Sequence, residues 1–224
     1  MNATTLKIIA CVSMLIDHIG AVFFPRIYIL RLIGRISFPI FGFMIAEGFF
    51  YTKNVKKYLI RLVLLALLSE IPYDFAFSGK LIDLTRQNIF FTLTIALIGI
   101  IVYDKYKNTN ITIATVSVFV LSVIAFICKT DYDLFGVLII FGFYLYRGNF
   151  IRISLNLIFY SILMCISHVL VSGSYSIFNF FQLVAILSLI FISKYNNQKG
   201  YNFKLLFYGF YPLHLILIGL MLIN

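Results

Sequence analysis

Residues 14–20 read MLIDHIG, which sets a carboxylate, Asp17, beside an imidazole, His18, inside an apolar run. Hydrocarbon makes ionisable side chains costly, and those that persist in it mark functional sites facing a protein interior or a watery cavity. An imidazole titrates near neutral pH, so His18 is a candidate general base or nucleophile. Neighbours on a helix point about 100° apart, so Asp17 is not expected to orient His18 directly, and one of the two is expected to meet a neighbouring helix. The next apolar run carries Arg31, Arg35 and Glu47. Arg31 and Arg35 are four apart and share a helix face. A third run carries Glu70, Tyr73 and Asp74, with its two carboxylates at the same spacing. Carboxylates placed so resist joint ionisation unless cations are near. Asp17, Arg31, Arg35, Glu70 and Asp74 are therefore expected to line one polar cavity. The plainer alternative is an ion network joining three helices, which a site would need in any case.

The elements that must position these groups are membrane spans. The 224 residues are 62% hydrophobic with mean hydropathy +1.02, whereas soluble domains are about 45–50% apolar. A span needs roughly 20 apolar residues. Nine segments qualify in varying degree, at 6–25, 29–50, 56–77, 88–103, 111–128, 133–147, 151–171, 176–193 and 203–223. The expected fold is all-α, a polytopic transmembrane helix bundle forming a single integral-membrane domain over residues 1–224. The even loops hold ten bases: Lys53, Lys56, Lys57, Lys105, Lys107, Arg147, Arg152, Lys194, Lys199 and Lys204. The odd loops hold four: Arg26, Lys80, Arg86 and Lys129. Basic loops stay inside, which makes the N-terminus cytoplasmic and the C-terminus extracytoplasmic, in a multi-pass cell-membrane protein. The cavity then opens outward, with Glu47 and Arg61 near the inner surface and His214 near mid-membrane.

Other classes are excluded by the same reading. A net charge of +10 reflects the inner loops, with no module or basic tail for nucleic acid. The first segment lacks the basic start and cleavage site of a signal peptide and carries Asp17 and His18. Cys11, Cys128 and Cys165 fit no metal spacing, and no ligand set suggests a metal. No nucleophile elbow, zinc-helix motif or phosphate loop is present.

Asn88 lies near the outer face, where it can orient a carboxylate or a substrate. Pro39, Pro72 and Pro212 interrupt apolar runs and free backbone carbonyls. Asp131 and Asp133 read as solvated loop acids, and His168, beside Ser172, Gly173 and Ser174, reads as interfacial. On the inner side stand Glu47, Lys53, Lys56, Lys57 and Arg61. They read either as a basic anchor with Glu47 paired to Arg61, or as a docking site for a polyanionic cytoplasmic donor.

At these residues the chain resembles the TraX family, named for the F-pilin acetylation protein of conjugative plasmids. The resemblance is carried by MLIDHIG at 14–20, GRISFPIFGFMIAEGF at 34–49, RLVLLALLSEIPYDFAF at 61–77, NIFFTL at 88–93, DYDLFG at 131–136 and FYPLHL at 210–215. It extends over nearly the whole chain and implies a multi-spanning acyltransferase. By that resemblance His18 is the catalytic histidine, with Asp17, Arg35, Glu70 and Asp74 as motif residues around it. Glu47, Arg31, Asn88, His214 and Tyr73 are candidates for binding substrate, and Lys53, Lys57 and Arg61 for binding the donor. The implied reaction moves an acyl group from acetyl-CoA to an amine or hydroxyl of a peptide, glycan or lipid acceptor. Two other readings use the same polar cluster: a proton-coupled transporter or flippase, and a non-catalytic membrane partner in an assembly complex.

Overall fold

The structure is a computed structural model describing residues 1–173, 175–201 and 203–223. The side chains of Phe178, Lys204, Leu205 and Ile223 lie outside the description, as does Ser174, named above beside His168. Regular structure among the described residues is entirely helical. In chain order the helices are α1 (Ala3–Val22), α2 (Tyr28–Gly34), α3 (Ser37–Tyr51), α4 (Val55–Ser78), α5 (Ile89–Tyr106), α6 (Ile111–Ile127), α7 (Asp133–Leu145) and α8 (Phe150–Ser172). A 3-10 helix (Ile177–Ser188), its short continuation α9 (Leu189–Ile192) and α10 (Lys204–Ile223) follow. Each of the nine apolar segments coincides with helix. The second is split in two, and the eighth is mostly 3-10.

Asparagine starts five of these helices. Asn2, Asn54, Asn88, Asn110 and Asn149 each accept a backbone N–H from the first turn that follows. A side-chain oxygen at this place satisfies one of the orphan donors of a helix start, and an amide does so without adding charge. The split between α2 and α3 falls at Arg35 and Ile36. Pro39 explains it: in a continuous helix its ring would clash with the carbonyl four residues back, that of Arg35. Restarting at Ser37 puts Pro39 in a first turn, where its missing N–H is not needed. Pro72 likewise deprives the Leu68 carbonyl of a partner, yet α4 continues to Ser78 and ends at Gly79 with φ 70°, the left-handed conformation that suits glycine.

The chain forms two compact units. The first comprises Met1–Met44 and Tyr146–Phe210. Here α1 packs on α2, and α8 on the 3-10 helix. Ser37 Oγ donates to the Ala10 carbonyl at 2.9 Å. Thr4 Oγ1 donates to the Tyr201 carbonyl at 2.7 Å, and the Ala3 N–H to the Gln198 carbonyl at 2.8 Å. The second unit comprises Ile45–Leu145 and Tyr211–Asn224. Its centre is α5, packed by α4, α6 and α7 around the buried Leu97, Ile100, Val137, Ile140 and Phe143.

Among the described residues four helical stretches are long and apolar enough to cross a membrane: Ala3–Val22, Tyr28–Tyr51, Ile89–Tyr106 and Phe150–Ser172. The 24-residue α4 is long enough, but it carries Lys56, Lys57, Arg61, Glu70 and Asp74. Many large apolar side chains face outward, among them Leu68, Phe119, Ile127 and Leu170. A soluble monomer rarely shows such surface, and lipid is its natural cover. The orientation is tested by labelling. Cys128 is exposed at the end of α6. A membrane-impermeant maleimide added to intact cells should label it. In a Cys128→Ser background, a cysteine introduced by Asn108→Cys should label only after permeabilisation. The reverse pattern would invert the topology.

Candidate functional site

In the first unit the polar group closest to the expected chemistry is built by α1 and α2. Asp17 Oδ2 accepts from Arg31 Nη1 at 2.7 Å, and the same nitrogen lies 3.2 Å from the Asp17 carbonyl. Arg35 Nη2 stands 3.9 Å from Asp17 Oδ1. Asp17 thus meets the neighbouring helix, and one carboxylate answers two guanidiniums. Two glycines make room for it. A Cβ on Gly34 would collide with the Asp17 side chain, and one on Gly20 would come within 2.5 Å of Leu30 Cβ. Small residues of this kind let membrane helices approach closely. His18 is buried. The ion pair ties α1 to α2 one residue before His18.

In the second unit Glu70 and Asp74 turn to different partners. Glu70 Oε2 accepts from the Asn88 backbone N–H at 3.1 Å and from the Asn88 side-chain amide. Asn88 is fully buried and fully used: its Nδ2 also donates to the Ala66 carbonyl at 2.8 Å, and its Oδ1 caps α5 through Phe90 N–H at 2.9 Å. Glu70 Oε1 is buried with no hydrogen-bond partner, which leaves that oxygen available to a proton or a ligand. Asp74, also buried, accepts from the Asp83 N–H at 2.7 Å and so pins the loop after α4. In that loop the Thr85 hydroxyl and N–H hold the half-buried Asp83 carboxyl below the usual range.

Tyr73 packs its ring 5.0 Å from Phe77. His214 is buried, edge-on to Tyr211 at 5.5 Å, which in turn meets Phe90 at 5.0 Å. The loop of Asp131 and Asp133 is strapped to Gln87 by two backbone bonds, at 3.1 and 3.0 Å, and Thr92 donates its hydroxyl to the Asp131 carbonyl. Lys129, Tyr132 and Asp133 all have positive φ there, a conformation that non-glycine residues hold only under constraint.

On the basic side Lys53, Lys56 and Lys57 are exposed and Glu47 is buried. Among the described residues Arg61 Nε is buried without a hydrogen-bond partner. Sequence reasoning passed over a cluster here. Tyr144 donates to Asp104 at 2.6 Å, Lys107 reaches the same oxygen at 2.7 Å, and Phe50 stacks on Tyr144 at 5.3 Å. Its one signal was Asp104, an acid standing alone in a basic loop. Among the described residues no group of three or more His, Cys, Asp or Glu is placed to hold a metal ion.

Comparison with known proteins places this arrangement in a lineage. A family model described as "TraX protein" matches residues 2–222. A protein of Dichelobacter nodosus named "Probable fimbrial assembly protein FimC, serogroup H1" is 26% identical over 242 aligned residues, covering 97% of this chain and 94% of that protein. An uncharacterised protein of Rickettsia prowazekii is 38% identical over 68 residues, covering 30% of this chain and 27% of that one. No solved structure matches.

The ion pair makes a quantitative prediction. The Asp17 and Arg31 side chains are only 16% and 28% exposed, so removing one partner strands a charge. Arg31→Leu should lower the unfolding free energy in detergent by about 3 kcal/mol, the low end for a buried pair. Adding Asp17→Asn should recover much of that loss. If the two changes simply add, the pair is not coupled.

Proposed function

The chain belongs to the TraX family, and from that premise we propose that it is a membrane-embedded acyltransferase. The donor is an acyl-CoA, with acetyl-CoA the simplest, taken from the cytoplasm of a bacterial cell. The acceptor is an amine or hydroxyl of a peptide, glycan or lipid on the outer side of the cell membrane. The observation that carries this reading is His18: buried, within a helix of membrane-crossing length, and one residue from a carboxylate held by two arginines.

In the direct form of the reaction His18 takes the proton of the acceptor as its nitrogen or oxygen attacks the thioester carbonyl. The carbon–sulfur bond breaks, a carbon–nitrogen or carbon–oxygen bond forms, and CoA leaves as the thiol with that proton. In the alternative form His18 attacks first and carries the acyl group on its imidazole until the acceptor displaces it. Arg35 is the cation placed to stabilise the developing oxyanion. Glu70, Asp74, Tyr73, Asn88 and His214 hold the acceptor side, and Arg31 and Glu47 complete the substrate contacts. The exposed Lys53 and Lys57, with Arg61, receive the phosphates of the donor. The printed name of the Dichelobacter relative, a fimbrial assembly protein, favours a second reading in which the ion network serves assembly and no bond is made.

One comparison separates the two. Protein purified in detergent is given acetyl-CoA labelled in the acetyl group, and wild type is set against His18→Ala. Loss of the general base should slow CoA release by about 100-fold or more with the fold intact by circular dichroism. Label that stays on the wild-type protein and vanishes with His18 would identify the acyl-histidine form. Undiminished release from a folded His18→Ala protein would remove the mechanism.

A further inference from the structure

In the second unit, the loop between α4 and α5 carries an apolar surface that a solvated turn has no need of. Leu81, Ile82 and Leu84 are 67%, 71% and 76% exposed. Large aliphatic side chains clustered on a surface mark a place of contact. This cluster continues a face that is already apolar. Leu64, Leu67, Leu68 and Ile71 are exposed along α4 at the three- and four-residue spacing of one helical stripe. The same face reaches the loop at the exposed Ser78, two turns beyond Ile71.

The loop is held rather than loose. Asp74 Oδ2 accepts the Asp83 N–H at 2.7 Å, Asp83 Oδ1 accepts the Thr85 N–H at 3.0 Å, and the Gln87 N–H donates to the Lys129 carbonyl at 3.1 Å. These bonds satisfy backbone donors inside the protein, which a segment must do before it leaves water. The charges here sort by exposure. Lys80, Arg86 and Lys129 are exposed, whereas Asp83, Asp131 and Asp133 are half-buried and Asp74 is buried. The large exposed side chains of the loop and of Lys129 beside it are therefore aliphatic or cationic.

We propose that this loop is seated in the headgroup layer of an anionic membrane. Leu81, Ile82 and Leu84 enter among the acyl chains, and Lys80, Arg86 and Lys129 meet the phosphates of anionic phospholipids. Aliphatic surface combined with cations is what such an interface takes up, and the long stems of lysine and arginine bridge its apolar and polar layers. Acids turned away from the surface remove the repulsion that would oppose the contact. The seat also sets a depth. Through its bond to the Asp83 N–H, Asp74 is held at the level of the headgroups, and Glu70 lies about 6 Å deeper along α4. The proposal depends neither on the acyl-transfer reading nor on which side of the membrane the loop faces.

The chain has no tryptophan, so a single introduced one reports its own surroundings. Full-length Leu84→Trp, with Leu81→Trp as a second position should the first fail to fold, is reconstituted in bilayers containing phosphatidylglycerol. Asn108→Trp, in the exposed loop beyond the far end of α5, is the reference. Emission from the Leu84 and Leu81 variants should lie to the blue of the reference and be quenched by phospholipids brominated in the acyl chain. Brominated phosphatidylglycerol should quench them more than brominated phosphatidylcholine. Adding Lys80→Gln and Arg86→Gln should lower that preference by about fivefold per charge removed. Emission matching the reference, with quenching by aqueous iodide, would overturn the seat. Blue-shifted emission that brominated lipid leaves untouched would overturn it too, because protein, such as a second copy of the chain, would then cover the loop. Equal quenching by the two lipids would overturn the contact with anionic headgroups. No acyl donor is present, so the result is independent of any failure to release CoA.

Discussion

A carboxylate inside an apolar helix must be answered by the protein, since lipid offers it nothing. For Asp17 the answer is Arg31 at 2.7 Å, with Arg35 standing off at 3.9 Å. The pair is possible only because Gly34 presents no Cβ where the carboxylate lies, and because Pro39 ends α2 at the point where Arg35 must turn. Break, glycine and two cations form one device. It ties α1 to α2 one residue before His18.

The second unit solves the same problem with amides. Asn88 caps α5, bonds back to Ala66 and takes one oxygen of Glu70. One side chain thereby joins two helices and positions a carboxylate whose other oxygen is left open. Asp74, one turn on, serves the backbone of a loop instead. Two carboxylates that share a helix face thus have unlike environments. Glu70 keeps one oxygen open, while one oxygen of Asp74 holds a loop.

Much of this could be read from the chain, and the parts that could not have identifiable causes. Apolar runs located the helical segments among the described residues, because sustained hydrophobicity is a strong signal. The first start was missed by three residues: Thr4 and Thr5 look polar, yet Asn2 caps the helix ahead of them. That one of Asp17 and His18 meets a neighbouring helix followed from helical geometry, though not which of them, and TraX membership followed from the motifs. The separate partners of Glu70 and Asp74 were not legible, since they depend on how the loop from Gly79 to Gln87 folds back. Nor was the 3-10 helix, because an almost wholly apolar stretch gives no contrast between periods of 3.0 and 3.6. Gln182, Ala185 and Ser188 were the faint trace of it.

The bonds from Ala3 and Thr4 to Gln198 and Tyr201 also bear on biosynthesis. A ribosome makes α1 long before the strap that fastens its start. At roughly 5–20 residues per second the delay is about 10–40 s. During that interval α1 and α2 have each other and their ion pair, while the residues of the second unit up to Leu145 are made and can pack. The first unit is therefore assembled around an interruption. A variant that weakens Asp17 or Arg31 exposes the nascent chain to membrane quality-control proteases for that whole period. Its yield in cells should then suffer more than its equilibrium stability, once made, would suggest.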